Sequence, residues 1–578
     1  MLTSWMNKKY GWIVPLVLLV LVNLLASVVY TRFDLTSEKR YTLTKGTRLL
    51  VKELQSPVEV EVFLKGEFPS GFRKLANSTA DFLQLLKEEN SGAVRYRFTS
   101  PLDLVPGTQV RFADSLTAMG AIPINLTVQK QEGQSSNIIF PVALVKYEGR
   151  QTLVNLYPGA SGQISQEEIN GAEAMMEYQF ASALDKITRT RQPTIGYAIA
   201  NGEPTDARTA DLVQSVSSEY DFRVFNMNQF PAIPDQMDVL LIVKPTQAFT
   251  EEQKFKIDQY IMRGGRLLCF VDALIAEQDS LAGKPETIAY DRNLNLTDMF
   301  FRYGVRINTD LVMDLQSDLL PFVVGGTPEN PQFEFLKWNY YPLLQATGKK
   351  SAGHGYVGGR FVNSIDTIKV ENVEKTILLT SSSNSRIIST PVRISLNENR
   401  NTPRDELFNR QAIPVAVLLE GSFTSLYRNR ATAAQRDSLA ALSLQFTPVS
   451  PADGKIIVVA DGDIVLNDLA PDPETREPVP LPMGWNRYTY MENMRNGTGA
   501  RHFVPVSNRD FFLNNLEYLV NSPAVAESRN KEIVLRLLDA AKLKENRNSW
   551  VMINLITPVI LVVLCGMIFQ YVRKRKYG

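Results

Sequence analysis

Two uninterrupted apolar runs bracket this chain, Gly11–Tyr30 and Ser549–Val572, and neither contains a charged residue. A helix rising about 1.5 Å per residue needs about 20 residues to cross a hydrocarbon core of about 30 Å, and each run is long enough. Lys8 and Lys9 precede the first run, and Arg573, Lys574, Arg575 and Lys576 follow the second. Cations collect on cytoplasmic flanks, so residues 1–10 and 573–578 are expected in the cytoplasm. Spans are expected at 11–30 and 549–572, with everything from about Asp34 to Asn548 across one bilayer. A secretory signal is the competing reading of the first run, with Ala26-Ser27-Val28 as a poor cleavage site. Its apolar stretch exceeds the usual ~7–15 residues of such signals, which favours retention. Asn23 and Asn554 put side-chain amides inside the spans, where they are expected to hydrogen-bond to neighbouring helices.

The 62 Lys and Arg residues balance 61 Asp and Glu, so no net field recruits nucleic acid. At 44% hydrophobic and 21% charged, the long middle reads as folded protein rather than a disordered stalk. Its length suits two to four domains. Of the two cysteines, Cys269 lies in an apolar strand and Cys565 in the second run, so an intrachain disulfide is not expected. Stability must then come from sizeable cores.

The expected fold class is α/β, built as stacked domains between two membrane helices. Residues 34–187 show helix Leu43–Leu54, strand Val58–Leu64, amphipathic helix Phe72–Glu89, strand Val94–Thr99 and helix Arg111–Met119. Strands Ile124–Gln129, Ile138–Lys146 and Thr152–Leu156 follow, joined by Glu132-Gly133 and Glu148-Gly149 turns, and helix Gln166–Ile187 closes the unit. That order is similar to a thioredoxin-like fold, with Ile122-Pro123 where such folds carry a cis-proline and without their Cys-x-x-Cys pair. Residues 193–273 alternate strand and helix: Thr194–Ala200, Asp206–Ser218, Phe222–Met227, Val239–Val243, Glu251–Arg263 and Arg266–Asp272. Near-continuous apolar strands in that alternation predict a doubly wound, Rossmann-like parallel sheet. Residues 274–375 are expected to be an insertion or β-rich unit. Residues 376–545 should continue the sheet through Thr376–Thr380, Val415–Leu419 and Lys455–Ala460, with return helices at Asp510–Val520 and about Lys531–Leu543.

Catalytic motifs are sparse. Gly353-His354-Gly355-Tyr356-Val357-Gly358 matches a dinucleotide fingerprint by letter, but no strand precedes it and no helix follows to hold a phosphate. His354 and His502 have no second ligand at zinc spacing, so no metal or cofactor is expected. Asp461 and Asp463 could do acid–base work, though surface turn chemistry accounts for them better. Asn201, Gly202 and Glu203 follow the first strand of the parallel sheet, where open α/β sheets bind ligands, and form the candidate pocket; a helix N-cap accounts for them equally well. Trp338, Tyr340 and Tyr341, with Trp485, would stack on sugar rings if exposed; core packing is the alternative.

The stretch Arg32-Phe33-Asp34-Leu35-Thr36-Ser37-Glu38-Lys39-Arg40-Tyr41-Thr42-Leu43-Thr44 resembles the opening of the gliding-motility-associated ABC transporter auxiliary subunits, the GldG family. Tyr260–Asp272, Val415–Phe423 and Ala460–Asp468 carry further likeness, so that it spans nearly the whole chain. Many relatives have a Gly-His-Gly-Glu-like turn where this chain has Ala200-Asn201-Gly202-Glu203, which removes any histidine chemistry there. The resemblance implies a non-catalytic subunit with no cofactor, lodged in the inner membrane of a Bacteroidetes-type bacterium with its bulk in the periplasm. It implies an ABC-2-type permease and a cytoplasmic ATPase as partners, besides the lipid bilayer. A periplasmic protein or glycan is a further expected partner and nucleic acid is not; the alternative readings are a carbohydrate or lipopolymer receptor and an anchored hydrolase or amidotransferase-like enzyme. Four Asp-Ser/Thr-aliphatic triplets, such as Asp114-Ser115-Leu116, resemble an O-glycosylation motif of those organisms.

Overall fold

The computed structural model describes isolated residues between 16 and 23, residues 42–528, and residues 547–577. Within 42–528 it leaves out 67, 122, 131–132, 158–165, 282–283, 328–329, 348–354, 397–404, 473–474, 497–503, 505, 522–524 and 526. Two compact units result: Leu43–Lys531, and the two chain ends, Met1–Thr42 with Glu532–Gly578.

In the large unit, β1 (Val58–Val62) and β2 (Val94–Phe98) run parallel, joined by the Ser70–Glu89 helix. β3 (Ile124–Lys130) and β4 (Gly133–Ile139) form a separate ribbon, and β5 (Val142–Tyr147) and β6 (Arg150–Asn155) a hairpin. The four-stranded sheet has the order β2-β1-β5-β6, with β5 antiparallel to β1. The expected single strand Ile138–Lys146 is in fact two, divided at Phe140-Pro141, because proline cannot donate to a ladder. Leu75, Leu83 and Leu86 of the Ser70–Glu89 helix and Met176, Phe180 and Leu184 of the Gln166–Thr188 helix bury one continuous core on this sheet. Residue 122, and with it the Ile122-Pro123 bond, lies outside the described residues.

The main sheet has ten strands. β7 (Thr194–Ile199), β8 (Asp221–Asn226), β9 (Met237–Val243), β10 (Arg266–Phe270) and the Gly454–Val459 strand are mutually parallel, in the order β8-β7-β9-β10-(454–459). Both faces of the central strands are covered, which is why Val239–Val243, Leu267–Phe270 and Ile456–Val459 are unbroken apolar runs, whereas the edge strand β8 keeps Asp221, Arg223 and Asn226. Val239, Leu241 and Val243 face a core shared with Leu212, Val216, Phe512 and Leu516 of the Ala210–Ser217 and Asn508–Val520 helices. Leu240 and Ile242 face the opposite core, with Ile257 and Ile261 of the Glu251–Met262 helix and Met299 of the Thr297–Tyr303 helix. The Glu251–Met262 helix starts on a reciprocal cap between Thr250 and Gln253. It ends at Gly264, φ +98°, followed by Gly265, where a Cβ would stand 2.4 Å from the Tyr260 ring.

Beyond Gly454–Val459 the sheet departs from the expected continuous parallel order. Strands Pro414–Gly421, Val373–Thr380 and Asn330–Ala346 are each antiparallel to their neighbours, and Ser317–Thr327 closes the edge as a hairpin with Asn330–Ala346. Residues 274–375 are strand-rich, and Ser317–Thr327, Asn330–Ala346 and Tyr356–Gly358 of that stretch join the main sheet, beside small ribbons.

In the other unit, Arg547–Tyr577 is one helix. Its Val551–Arg575 segment is long and apolar enough to cross a membrane and is wholly exposed in the isolated chain. It is the one such helix among the described residues. Most of the Gly11–Tyr30 run and the expected helix near Lys531–Leu543 lie outside those residues.

Candidate functional site

Open parallel sheets hold ligands beyond the carboxyl ends of their strands, at the point where the strand order reverses. Here that point lies between β7 and β9, and the residues after β7 are Ala200, Asn201, Gly202 and Glu203. The structure closes this crevice with the chain itself. The Asn201 carbonyl accepts from the amides of Thr246 and Gln247, both at 2.8 Å. Asn201 Nδ2 donates to the Ala248 carbonyl (3.1 Å) and to Gln253 Oε1 (3.0 Å). Glu203 Oε2 accepts from the amides of Asn201 (2.7 Å) and Ala200 (3.1 Å). Gly202 has φ +76°, and a Cβ there would lie 2.0 Å from Thr246 Oγ1, so only glycine fits. Burial pushes the Glu203 carboxyl above its ordinary range, against the opposing effect of the amides that bond it. Asn201 and Glu203 are both buried and Gly202 is exposed, and Asn201 Oδ1 and Glu203 Oε1 have no hydrogen-bond partner among the described residues.

The next strand ends hold a denser cluster. Lys244 follows β9 at once, with φ +43°; Asp272 lies just past β10; Asp461 and Asp463 follow the Gly454–Val459 strand. Lys244 Nζ lies 2.6 Å from Asp463 Oδ2, 3.0 Å from Glu277 Oε2 and 3.2 Å from Asp272 Oδ2, with its side chain 4% exposed. Glu277 is also paired with Arg292 at 2.8 Å. Between the two aspartates, the Gly462 amide donates to Asp272 Oδ1 at 2.5 Å. Gly462 has to be small: a Cβ would meet Lys244 Cβ and Cγ at 2.7 Å. Asp461 accepts from the amides of Asp463 and Arg360, both at 2.8 Å, and is fully buried. Arg360 pairs with Asp468 at 2.8 Å and lies over the Tyr341 ring at 5.3 Å.

The electrostatics follow from burial and charge crowding. Burial, then Asp463 and Asp272, pushes Asp461 well above the usual carboxylate range. Burial also raises Asp272, with Lys244 pulling the other way. Burial works against the Lys244 ammonium, but Asp272, Asp463 and Glu277 outweigh it and hold the group charged. Oxygens of Asp272, Asp461 and Asp463 lie within 4.8 Å of one another, a spacing that suits a cation. Lys244 supplies a cation from within the chain to Asp272 and Asp463, and Asp272 and Asp461 also accept from backbone amides. The cluster ties four segments together: the ends of three parallel strands and the 359–363 turn from the antiparallel half.

The surface-turn account of Asp461 and Asp463 is therefore corrected: Asp461 is sealed and Asp463 largely covered. Sequence reading passed over Lys244 and Arg360 and saw Asp272 only as the end of a buried strand. Its usable signal was that apolar strands 239–243, 267–271 and 455–460 are each followed directly by a charged residue.

The candidate aromatic contacts divide between core and partial exposure. Trp338, Tyr340 and Tyr341 are 0–2% exposed and pack around Phe361, with the Trp338 ring centre 4.9 Å from that of Tyr341 and 5.6 Å from that of Phe361. They have no face left for a sugar. Trp485 is half-buried beside Tyr490, 5.6 Å between ring centres. Tyr356–Gly358 pairs with the Asn330–Ala346 strand; His354 and His502 lie outside the described residues. Asn23 donates to the Leu19 carbonyl one turn back in its own helix (3.0 Å), whereas Asn554 stands exposed on its helix.

Cavities open instead at the amino ends of the parallel strands. One of about 450 Å³ is lined by Arg150, Lys186, Arg189, Arg191 and Tyr220, among others. Its cations are mostly neutralised, Arg191 by Asp238 at 2.7 Å and Lys186 by Glu219 at 3.0 Å.

Among solved structures, the N-terminal domain of mmIFT52 aligns over 47% of this chain and 88% of its own, at 12% identity and a TM-score of 0.26. A ThuA-like protein from Parabacteroides merdae aligns over 61% and 94%, at 10% identity and 0.23. The exo-β-1,4-mannosidase Op5Man5 from an Opitutaceae bacterium aligns over 71% of this chain and 48% of its own, at 10% identity and 0.20. Scores that low say nothing of a shared activity. No curated protein matches the chain by sequence. A domain of unknown function (DUF7088) matches residues 37–146. The region that carries the parallel sheet and its charged cluster, residues 192–514, matches the model of the ABC-type uncharacterized transport system auxiliary component, and the chain belongs to that family.

Proposed function

We propose that this chain is the membrane-anchored, non-catalytic partner of an ABC-2-type permease and its cytoplasmic ATPase, of the kind associated with gliding motility in Bacteroidetes-type bacteria. In this reading both termini are cytoplasmic, residues 11–30 form a second span, and the bulk is periplasmic. The observation that carries it is the covalent order: a domain of a transport family, residues 192–514, followed by an exposed apolar helix, Val551–Arg575, with basic residues at its end. The strand order β2-β1-β5-β6 supports a thioredoxin-like first domain, and the order β8-β7-β9-β10-(454–459) a Rossmann-like second one. The closed crevice at Asn201–Glu203 and the internally paired Lys244 cluster favour a scaffold over a site of turnover. Energy then comes from the ATPase, and the periplasmic body contributes only by binding one transporter state more tightly than another. Mild detergent extraction and tandem purification of the tagged chain tests this. Permease and ATPase should be recovered with it, and recovery of the chain alone would defeat the proposal.

A further inference from the structure

The Arg547–Tyr577 helix carries one proline inside it, Pro558, and the residue four positions before it is Asn554. Proline has no N–H, so the Asn554 carbonyl lacks its helical donor. The Asn554 side-chain amide projects from the same turn and is exposed. A polar notch, with Thr557 beside it, thus sits near the start of a segment that is otherwise apolar from Val551 to Phe569, where no water can satisfy it. We propose that this notch is the contact point of a parallel pair formed with a second copy of the same helix. This rests on the reading of the segment as a membrane span.

Hydrogen-bond arithmetic favours a second copy over an unrelated helix. Each Asn554 offers two amide protons, and each turn offers two acceptors in need, the side-chain oxygen and the freed carbonyl. Two copies facing each other match four donors to four acceptors with no outside group. A parallel copy also places its notch at the same membrane depth automatically. The position of Asn554 further selects a seam. Val551, Asn554, Pro558, Leu561, Cys565, Ile568 and Val572 follow alternating steps of three and four, the repeat by which helices interlock, and a single polar residue in such a seam fixes register. Val551, Leu561, Ile568 and Val572 are 50–62% exposed in the isolated chain, and Cys565 is exposed.

Cys565 makes the proposal testable without adding a probe. The other cysteine, Cys269, is fully buried in β10 and does not compete. Membranes holding the full chain are oxidised with copper phenanthroline and run without reductant. The wild type should give a disulfide-linked species of twice the chain mass, and Asn554→Leu should lower its yield at least five-fold. A second arm uses the Cys565→Ser background, comparing Leu561→Cys on the seam with Val563→Cys on the opposite face of the helix. Leu561→Cys should cross-link and Val563→Cys should not. Equal yields at both positions, a wild-type yield that survives Asn554→Leu, or adducts only with other proteins would each overturn the pairing. A carbonate wash of the same membranes separates the two readings. Release of the chain defeats the anchor, whereas retention without the expected cross-links defeats only the pair.

Discussion

Replacing Lys244 by methionine keeps most of the side-chain stem and removes the one ammonium held by Asp272, Asp463 and Glu277 at 2.6–3.2 Å. Its loss leaves buried carboxylates without their cation, and breaking a buried pair from one side costs about 3–5 kcal/mol. Unfolding entropy of about 2.1 cal/mol/K per residue gives about 1 kcal/mol/K for Leu43–Lys531 unfolding as a whole. The expected fall in Tm is then about 3–5 °C, or about 4–7 °C if the 192–514 region unfolds by itself. The loss should depend on pH in a fixed direction. Asp272 and Asp461 already bind protons more readily in the folded state, and losing Lys244 raises Asp272 further. A carboxylate raised on folding costs stability above its folded pKa and returns it as pH falls, so the deficit should shrink from pH 8 to pH 5. Scanning calorimetry of the detergent-solubilised full chain measures both effects. A Tm within 1 °C of wild type at pH 8, or a larger deficit at pH 5, would show that the cluster does not hold the strand ends as argued.

Three further outcomes follow from the same geometry. Gly202→Ala forces a Cβ against Thr246 at φ +76° and should destabilise by about 1–3 kcal/mol; adding Thr246→Ala should restore only part of the loss, because the backbone strain stays, as chemical denaturation would show. Trp338→Ala should cost about 3–5 kcal/mol, read as a lowered denaturation midpoint, and leave any glycan binding by the intact protein unchanged. Glu517 accepts from Tyr178 (2.7 Å) and Ser182 and pairs with Lys186 (3.3 Å), joining the Gln166–Thr188 helix to the Asn508–Val520 helix. Glu517→Ala removes this joint and leaves the Ser182 hydroxyl without its acceptor, at about 1–3 kcal/mol, so trypsin should cut at Arg189 and Arg191 faster than in wild type; an unchanged cleavage rate would count against a joint at Glu517.

What was legible along the chain is what depends on short-range periodicity. The apolar run 549–572 announces a helix long and apolar enough to cross a membrane because length and composition are read directly from the chain. Val239–Val243 and Leu267–Val271 announce strands covered on both faces because every position is apolar. Cys269 reads as a buried thiol for the same reason.

Pairing direction and side-chain convergence were not legible, because both depend on residues far apart in sequence. Nothing local tells Val415–Leu419 to run antiparallel to Gly454–Val459, since an apolar strand looks alike in either direction. Lys244, Asp272, Arg360 and Asp461 span more than 200 positions and meet only once the strands are in order. The same holds for the turn at Asn201–Glu203, whose partners Thr246 and Gln253 come from the loop and the helix that follow β9. Sequence by itself determined which segments leave water, through the free energy of apolar burial. Only the tertiary structure decided which charges that burial traps together, since Coulomb and hydrogen-bond terms depend on distances the fold alone creates.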